Sequence, residues 1–231
     1  ILIRNLKNSI SKDFNLTDFF LENLKKKNIK FHSILSTNFI DIRPFTFRNY
    51  RKSKKLYDIN FKYTAILNLK KFPNFDNWLQ SIRKLRLREY KKNNKKYKIE
   101  DLNNFDEFFE LHDHTYLKNK VTLNELQKKI RKKIIQYFKK KCFFKKILNN
   151  KNETASIIFF VIHESKSYYL FGANKKNDKS GLSTTLMIEY IKLAFRNNLE
   201  QIDFCGANSF YRGDYKLSFG SDLNGYFEVD N

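Results

Sequence analysis

Three apolar runs separated only by short polar pieces occupy residues 142–173, and no other feature restricts the fold as much. The runs 142–148, 154–163 and 167–173 are rich in Phe, Ile and Tyr, residues that suit a pleated surface. The pieces between them, 149–153 and 164–166, have the polarity and length of hairpin turns. Strands joined this tightly must lie side by side and antiparallel. The longest apolar stretch, 157–162, has the length of a buried strand. A helix at 181–196 carrying Leu182, Leu186, Ile188, Tyr190, Ile191 and Leu193 leads to a strand at 201–205, a short helix near 210–217 and a last strand at 226–229. Hairpin strands followed by a β-α-β crossover imply a mixed sheet with helices on both faces, an α/β (α+β) architecture.

Upstream the pattern is looser. Residues 15–27 read as a helix, 31–42 as extended chain ending just before Pro44, and 63–69 (YTAILNL) as a strand. Pro73 then opens one long helix over 75–96, with Trp78, Leu79, Ile82 and Leu85 on its apolar face and basic residues on the other. A short strand at 97–102 precedes a helix capped by Asn103 or Asn104 and carrying Phe105, Phe108, Phe109 and Leu111. The next helix spans 122–139, with Thr122 and Glu125 spaced as a capping box.

Composition excludes several classes. Hydrophobic residues make up 41% and aromatics 16% of the 231 residues, too apolar for a disordered chain. No apolar run approaches the ~18 residues that span a bilayer. The start, Ile1 to Asn5, shows no charged-then-apolar signal pattern. Two cysteines, Cys142 and Cys205, cannot form a disulfide framework, so a reducing, cytoplasmic setting is the expectation. The net charge of +22 has two readings. Lys outnumbers Arg 36 to 10 and Asn, Ile and Phe are abundant, as an AT-rich coding bias alone would produce. The alternative is an anionic partner such as nucleic acid. Residues 83–98 hold nine basic side chains and one acid, Glu89, and 128–146 hold ten and none. On the nucleic-acid reading, Arg83, Arg86, Arg88, Lys91 and Lys92 would track phosphates.

Glycine divides the chain differently. All six lie between Gly172 and Gly225, where Gly181, Gly206, Gly213 and Gly220 mark positions that permit close approach to a ligand, while Gly225 reads as an ordinary turn. Other chemistry is poorly supported. His112-Asp113-His114 suggests a metal, but residues i and i+2 diverge on a helix, and no metal site is expected. There is no phosphate-binding Gly-x-x-x-x-Gly-Lys loop and no Gly-x-Ser-x-Gly elbow. Cys205 reads as a buried strand thiol.

The segments YYLFGANKK (168–176), SGLSTTLMIEYIKLAF (180–195) and IDFCGANSFYRGDYKLSFG (202–220), in that order, resemble the GNAT acyltransferase fold in its Fem-type, two-lobed branch. YTAILNL followed by a helix with Ser81, Arg83, Arg86 and Arg88 is similar to an upstream segment of that family, with Asn68 where the family usually has Asp. The resemblance implies a partial first lobe over 1–72, a basic connecting helix over 73–96 and a C-terminal GNAT-like lobe over 97–231. A weak echo between 28–52 and 198–216 fits two lobes, so the chain is expected to be an N-terminally truncated piece.

The resemblance also implies chemistry: transfer of an acyl or aminoacyl group from acyl-CoA or aminoacyl-tRNA to a small-molecule or peptide amine. Lys176, Ser180, Gly181, Leu182, Ser183 and Thr184 occupy the donor-binding turn, although Lys179 replaces its first glycine and Asp178 would repel phosphate. Asn208 and Tyr215 have the spacing of a cofactor contact and a general acid. Lys216 matches a lysine that stabilises charge on the reacting carbonyl. Asp203, Gly206, Tyr211 and Arg212 are the candidate acceptor contacts. Read as packing alone, Tyr215 and Phe219 are core residues one helical turn apart and Lys216 is exposed. A non-catalytic nucleic-acid-binding module and a degenerate remnant of the enzyme are the alternatives.

Overall fold

The computed structural model describes residues 10–39, 41–50, 54–93, 96–117, 123–175 and 180–231. The chain begins with α1 (Ile10–Lys26), β1 (His32–Ile34), α2 (Arg43–Asn49) and β2 (Asp58–Asn68). There follow α3 (Phe75–Ser81), α4 (Lys84–Asn93), β3 (Ile99–Asp101), α5 (Phe105–Leu117) and α6 (Glu125–Tyr137). The last part is β4 (Cys142–Leu148), β5 (Thr154–His163), β6 (Lys166–Asn174), α7 (Leu182–Arg196), β7 (Gln201–Gly206), α8 (Phe210–Leu217) and β8 (Asp222–Asp230). The strands form one mixed sheet in the order β1-β8-β2-β7-β6-β5-β4-β3, with β3 to β6 antiparallel and β6 parallel to β7.

The chain divides into two compact units. The larger comprises Ala65–Cys205 and Ser209–Asp222. Its centre is β5, whose side chains alternate between two buried faces. Phe159 and Ile157 pack with Phe108, Phe109, Ile135 and Phe144 under α5 and α6. Phe160 points the other way and stacks on Tyr190 of α7 at 3.7 Å, with Phe143 edge-on to the same ring at 4.9 Å. The apolar run thus serves two cores at once, which is why it shows no polar alternation. The hairpin turns carry Asn152 and Glu164 in the left-handed region.

The smaller unit comprises Ile1–Thr64, Gly206–Asn208 and Leu223–Asn231. Leu21, Phe45, Tyr57 and Val229 form its core. The Arg48 guanidinium joins α2 to α1 through Asp18, at 2.7 Å, and Glu22. β1 pairs with β8 from His32 opposite Asp230 to Ile34 opposite Glu228. The extended chain expected over 31–42 is therefore a strand of three residues. Gly225 is no turn: it lies within β8, where the Phe61 ring would be 2.4 Å from a Cβ, and that crowding explains the glycine.

Two local expectations give way. The single helix over 75–96 is broken, because Ile82 is extended (φ −72°, ψ 164°) and the Arg83 N–H turns aside to Ser218 O at 3.1 Å. The break lets both Trp78 and Ile82 be buried, with Trp78 Nε1 donating to Phe219 O at 2.9 Å. The helix expected from Thr122 starts instead at Asn124, whose side chain accepts from the Gln127 N–H at 2.8 Å while Gln127 Oε1 accepts from the Asn124 N–H at 3.1 Å. Asn caps as well as Thr, and Gln127 closes the reciprocal pair that Glu125 cannot reach. Thr122 itself lies outside the described residues.

Candidate functional site

The parallel ladder between β6 and β7 runs from Lys166 opposite Gln201 to Tyr168 opposite Asp203, although β6 continues to Asn174 and β7 to Gly206. Two local irregularities accompany the parting. On β6 the register against β5 shifts between Phe159 opposite Phe171 and Phe160 opposite Tyr169, so Leu170 is an extra residue and the strand bends. On β7, Cys205 adopts φ 56°, a left-handed conformation unusual for a residue with a side chain, and Asp203 Oδ1 accepts the Cys205 N–H at 2.7 Å. Asp203 thereby holds the strand end.

That bend determines the environment of Lys216. Its Nζ donates to Cys205 O at 3.0 Å and lies 6.0 Å from the centroid of the Tyr169 ring. Lys216 is half-buried, not exposed as the packing reading required. Burial pushes its ammonium down to about 8, against the pull of Cys205 and Asp203 and with a further push from Arg212. The Cys205 thiol is driven up to about 12 by burial, and next by Asp203, so it is no nucleophile at neutral pH.

Tyr215, the next residue back on α8, packs edge-on against Phe219 at 5.1 Å, and the Arg86 guanidinium stands 4.8 Å over its ring. Burial raises its phenol above the ordinary tyrosine range, while hydrogen bonding to Thr184 and Ser183 and the charge of Arg86 oppose the rise. Tyr215 thus meets the first turn of α7. Core packing and contact with the first turn of α7 coexist in one side chain.

The start of α7 is tightly built. Gly181 is its N-cap at φ 79°, ψ 16°, and a Cβ there would lie 2.8 Å from Cβ and Cγ of Glu89. Glu89 Oε2 accepts from Thr184 Oγ1 and from an Arg86 NH group, each at 2.7 Å. Arg86 Nε donates to Ser218 Oγ at 2.9 Å, and Asn93 Nδ2 donates to Ser180 O at 2.7 Å. Ser180 Oγ accepts from the Leu182 N–H at 3.3 Å, and the Leu182 side chain is buried. Helix α4 therefore latches α7. Glu89 was the residue missed by sequence reasoning, although its signal was visible as the lone acid in a basic run.

The remaining candidates scatter. Arg83, though exposed, forms a bidentate pair with Asp214 at 2.6 and 2.7 Å, and Arg86 is paired with Glu89; Arg88, Lys91 and Lys92 are exposed. Tyr211 and Arg212 are exposed on the first turn of α8. Asn208 belongs to the smaller unit with Gly206, and its Oδ1 accepts from the Tyr63 N–H at 2.7 Å. Lys176 lies outside the described residues. Among the described residues no group of three His, Cys, Asp or Glu could hold a metal ion. His112 is instead buried, with Nε2 2.6 Å from an Arg131 NH group.

No protein-family model and no curated protein matches the sequence. Solved structures do match in fold. A FemX structure superposes with a TM-score of 0.62 at 14% identity, over 90% of this chain and 67% of that one. L-PGS from Bacillus licheniformis gives 0.57 at 11%, over 92% and 71%. A GCN5-related N-acetyltransferase from Sphaerobacter thermophilus gives 0.52 at 9%, over 97% and 69%. The mixed sheet, its parting parallel pair and these superpositions agree: the chain has a GNAT-like fold of the Fem type.

Proposed function

We propose that the chain is an N-acyltransferase that moves an acyl or aminoacyl group from a thioester or ester donor, acyl-CoA or aminoacyl-tRNA, to an amine. The observation that carries this reading is Lys216, held half-buried on Cys205 O with its ammonium pushed down to about 8, where β6 and β7 part. The fold shared with a structure named as an N-acetyltransferase supports the reaction class.

In the proposed reaction the acceptor amine attacks the donor carbonyl carbon, and negative charge gathers on the carbonyl oxygen. An N–H of Lys216 donates to that oxygen in a setting of low dielectric. The carbon–sulfur or carbon–oxygen bond then breaks, and the departing atom takes the phenolic proton of Tyr215, which burial keeps protonated. The proton lost by the amine passes to solvent, and Tyr215 takes a proton back from solvent before the next turnover. Ser183 and Thr184, in the first turn of the fifteen-residue α7, offer backbone N–H groups suited to donor phosphates. The exposed Arg88, Lys91 and Lys92 on α4 favour tRNA as carrier, and their weight is decided by titration.

Calorimetric titration of acetyl-CoA, coenzyme A and charged tRNA, at salt that suppresses non-specific phosphate binding, separates the donors. Saturable binding of acetyl-CoA weakened by Ser180→Ala assigns the thioester. Binding of charged tRNA alone, weakened by replacing Arg88, Lys91 and Lys92, assigns the ester. With the donor in hand, Lys216→Ala is expected to lower turnover ~100-fold or more while the fold is kept. Binding of neither donor, or full turnover in the variant, overturns the reading.

A further inference from the structure

Helix α6 shows two faces. Its inner face carries Ile135, Ile134 and Phe138 into the core beneath β4 and β5. Arg131 is engaged there by His112 and the Phe171 ring, and Lys128 by Asp113 at 3.2 Å. The outer face carries Leu126, Ile130 and Tyr137, which are 64%, 48% and 83% exposed. At the helical turn of about 100° per residue, these three fall within about 40° of one another, and Lys133 and Lys129 follow within about another 60° on one side. The chain then turns through Lys139, Lys140 and Lys141, all exposed. No Asp or Glu occurs from Lys128 to Lys146.

We propose that this outer face of α6, with the lysines that continue it, docks on a bilayer surface rich in anionic phospholipid. The occupant follows from the two halves of the pattern. Lysines beside the stripe suit the phosphate headgroups, and Leu126, Ile130 and Tyr137 suit the acyl boundary just beneath, the arrangement of a helix lying in the interface. A second copy of the same face would bring like charges together. Nucleic acid would satisfy the lysines but leave Leu126 and Ile130 in water. The proposal does not depend on the acyl-transfer reading, because it concerns a helix outside the candidate site.

Co-sedimentation with vesicles of phosphatidylcholine alone, and of phosphatidylcholine with phosphatidylglycerol, tests it. Binding to the mixed vesicles is expected to exceed binding to the neutral ones by at least ~10-fold. Lys129→Glu with Lys133→Glu should lower it a further ~20-fold or more, at about fivefold for each charge removed. Leu126→Ser with Ile130→Ser should lower it ~10-fold. Because these side chains are exposed, melting curves should match the parent. A Tyr137→Trp variant reads insertion directly: its emission should shift to the blue on mixed vesicles, over a constant background from buried Trp78. Full binding by the double serine variant, or an unmoved Tyr137→Trp emission, overturns the proposal. So does a mixed-sequence RNA that displaces the vesicles and binds the serine variant as tightly as the parent, which would reassign the face to nucleic acid.

Discussion

Replacing Lys216 by Met separates the cost of burying its charge from the packing of its chain. The ammonium is depressed from 10.5 to about 8, chiefly by burial. At ~1.36 kcal/mol per unit, the charged lysine costs the folded state about 3 kcal/mol at pH 7. The unfolded chain binds more protons than the native one between about 8 and 10.5, so stability rises with pH through that window. At pH 9.5 roughly 1.4 kcal/mol of the cost remains. Against this, Met forfeits the hydrogen bond to Cys205 O, worth about 1–2 kcal/mol. Lys216→Met is therefore expected to be more stable than the parent by about 1–2 kcal/mol at pH 7, and equal or slightly less stable at pH 9.5. Urea denaturation of both proteins at the two pH values measures the difference, and every other titrating group cancels in the comparison. A gap that stays constant, or moves in favour of the variant as pH rises, would refute a buried ammonium.

Three further outcomes follow from neighbouring geometry. Burial, aided by Arg131 and opposed by Asp113, holds His112 down to about 4, so its contribution is complete above pH 6.5 and is lost as pH falls through about 4; His112→Gln should flatten the acid limb of a pH–stability curve over that range. Gly181→Ala forces a methyl into Glu89 at a left-handed backbone position and should cost about 2 kcal/mol or more by urea titration, with Gly181→Asn no better because its Cβ meets the same carbons. The Cys205 thiol should resist a thiol reagent at pH 8 in the native protein and react in denaturant, whereas rapid native labelling would contradict its burial.

Elements whose signal is local were legible in the sequence. β4, β5 and α8 follow their apolar runs and polar breaks to the residue, and α7 begins immediately after the glycine that caps it. The break at Ile82 was not legible, because its cause lies at Ser218, 136 positions away, whose carbonyl takes the Arg83 N–H. Glu89 stands out in the sequence as a lone acid, but its partners do not: only folding brings it over Gly181 and Thr184. Lys216 was legible as a residue but not as a buried one, since its setting needs the left-handed turn at Cys205 and the Tyr169 ring. The two readings of Tyr215 could not be separated by spacing, and the structure places the ring in a packed setting with its hydroxyl at the α7 turn.

The pairing of β1 with β8 bears on when the protein can finish folding. His32 meets Asp230 across 198 positions, whereas β3 to β6 pair in chain order and β7 joins β6 after the single crossover helix α7. During synthesis the strands of the larger unit can assemble as they emerge. The partner of β1 reaches it only once residues 222–230 have left the ribosome. Until then Leu21, Phe45 and Tyr57 await Val229 with part of their apolar surface in water, so the core that is synthesised earlier is the one completed later.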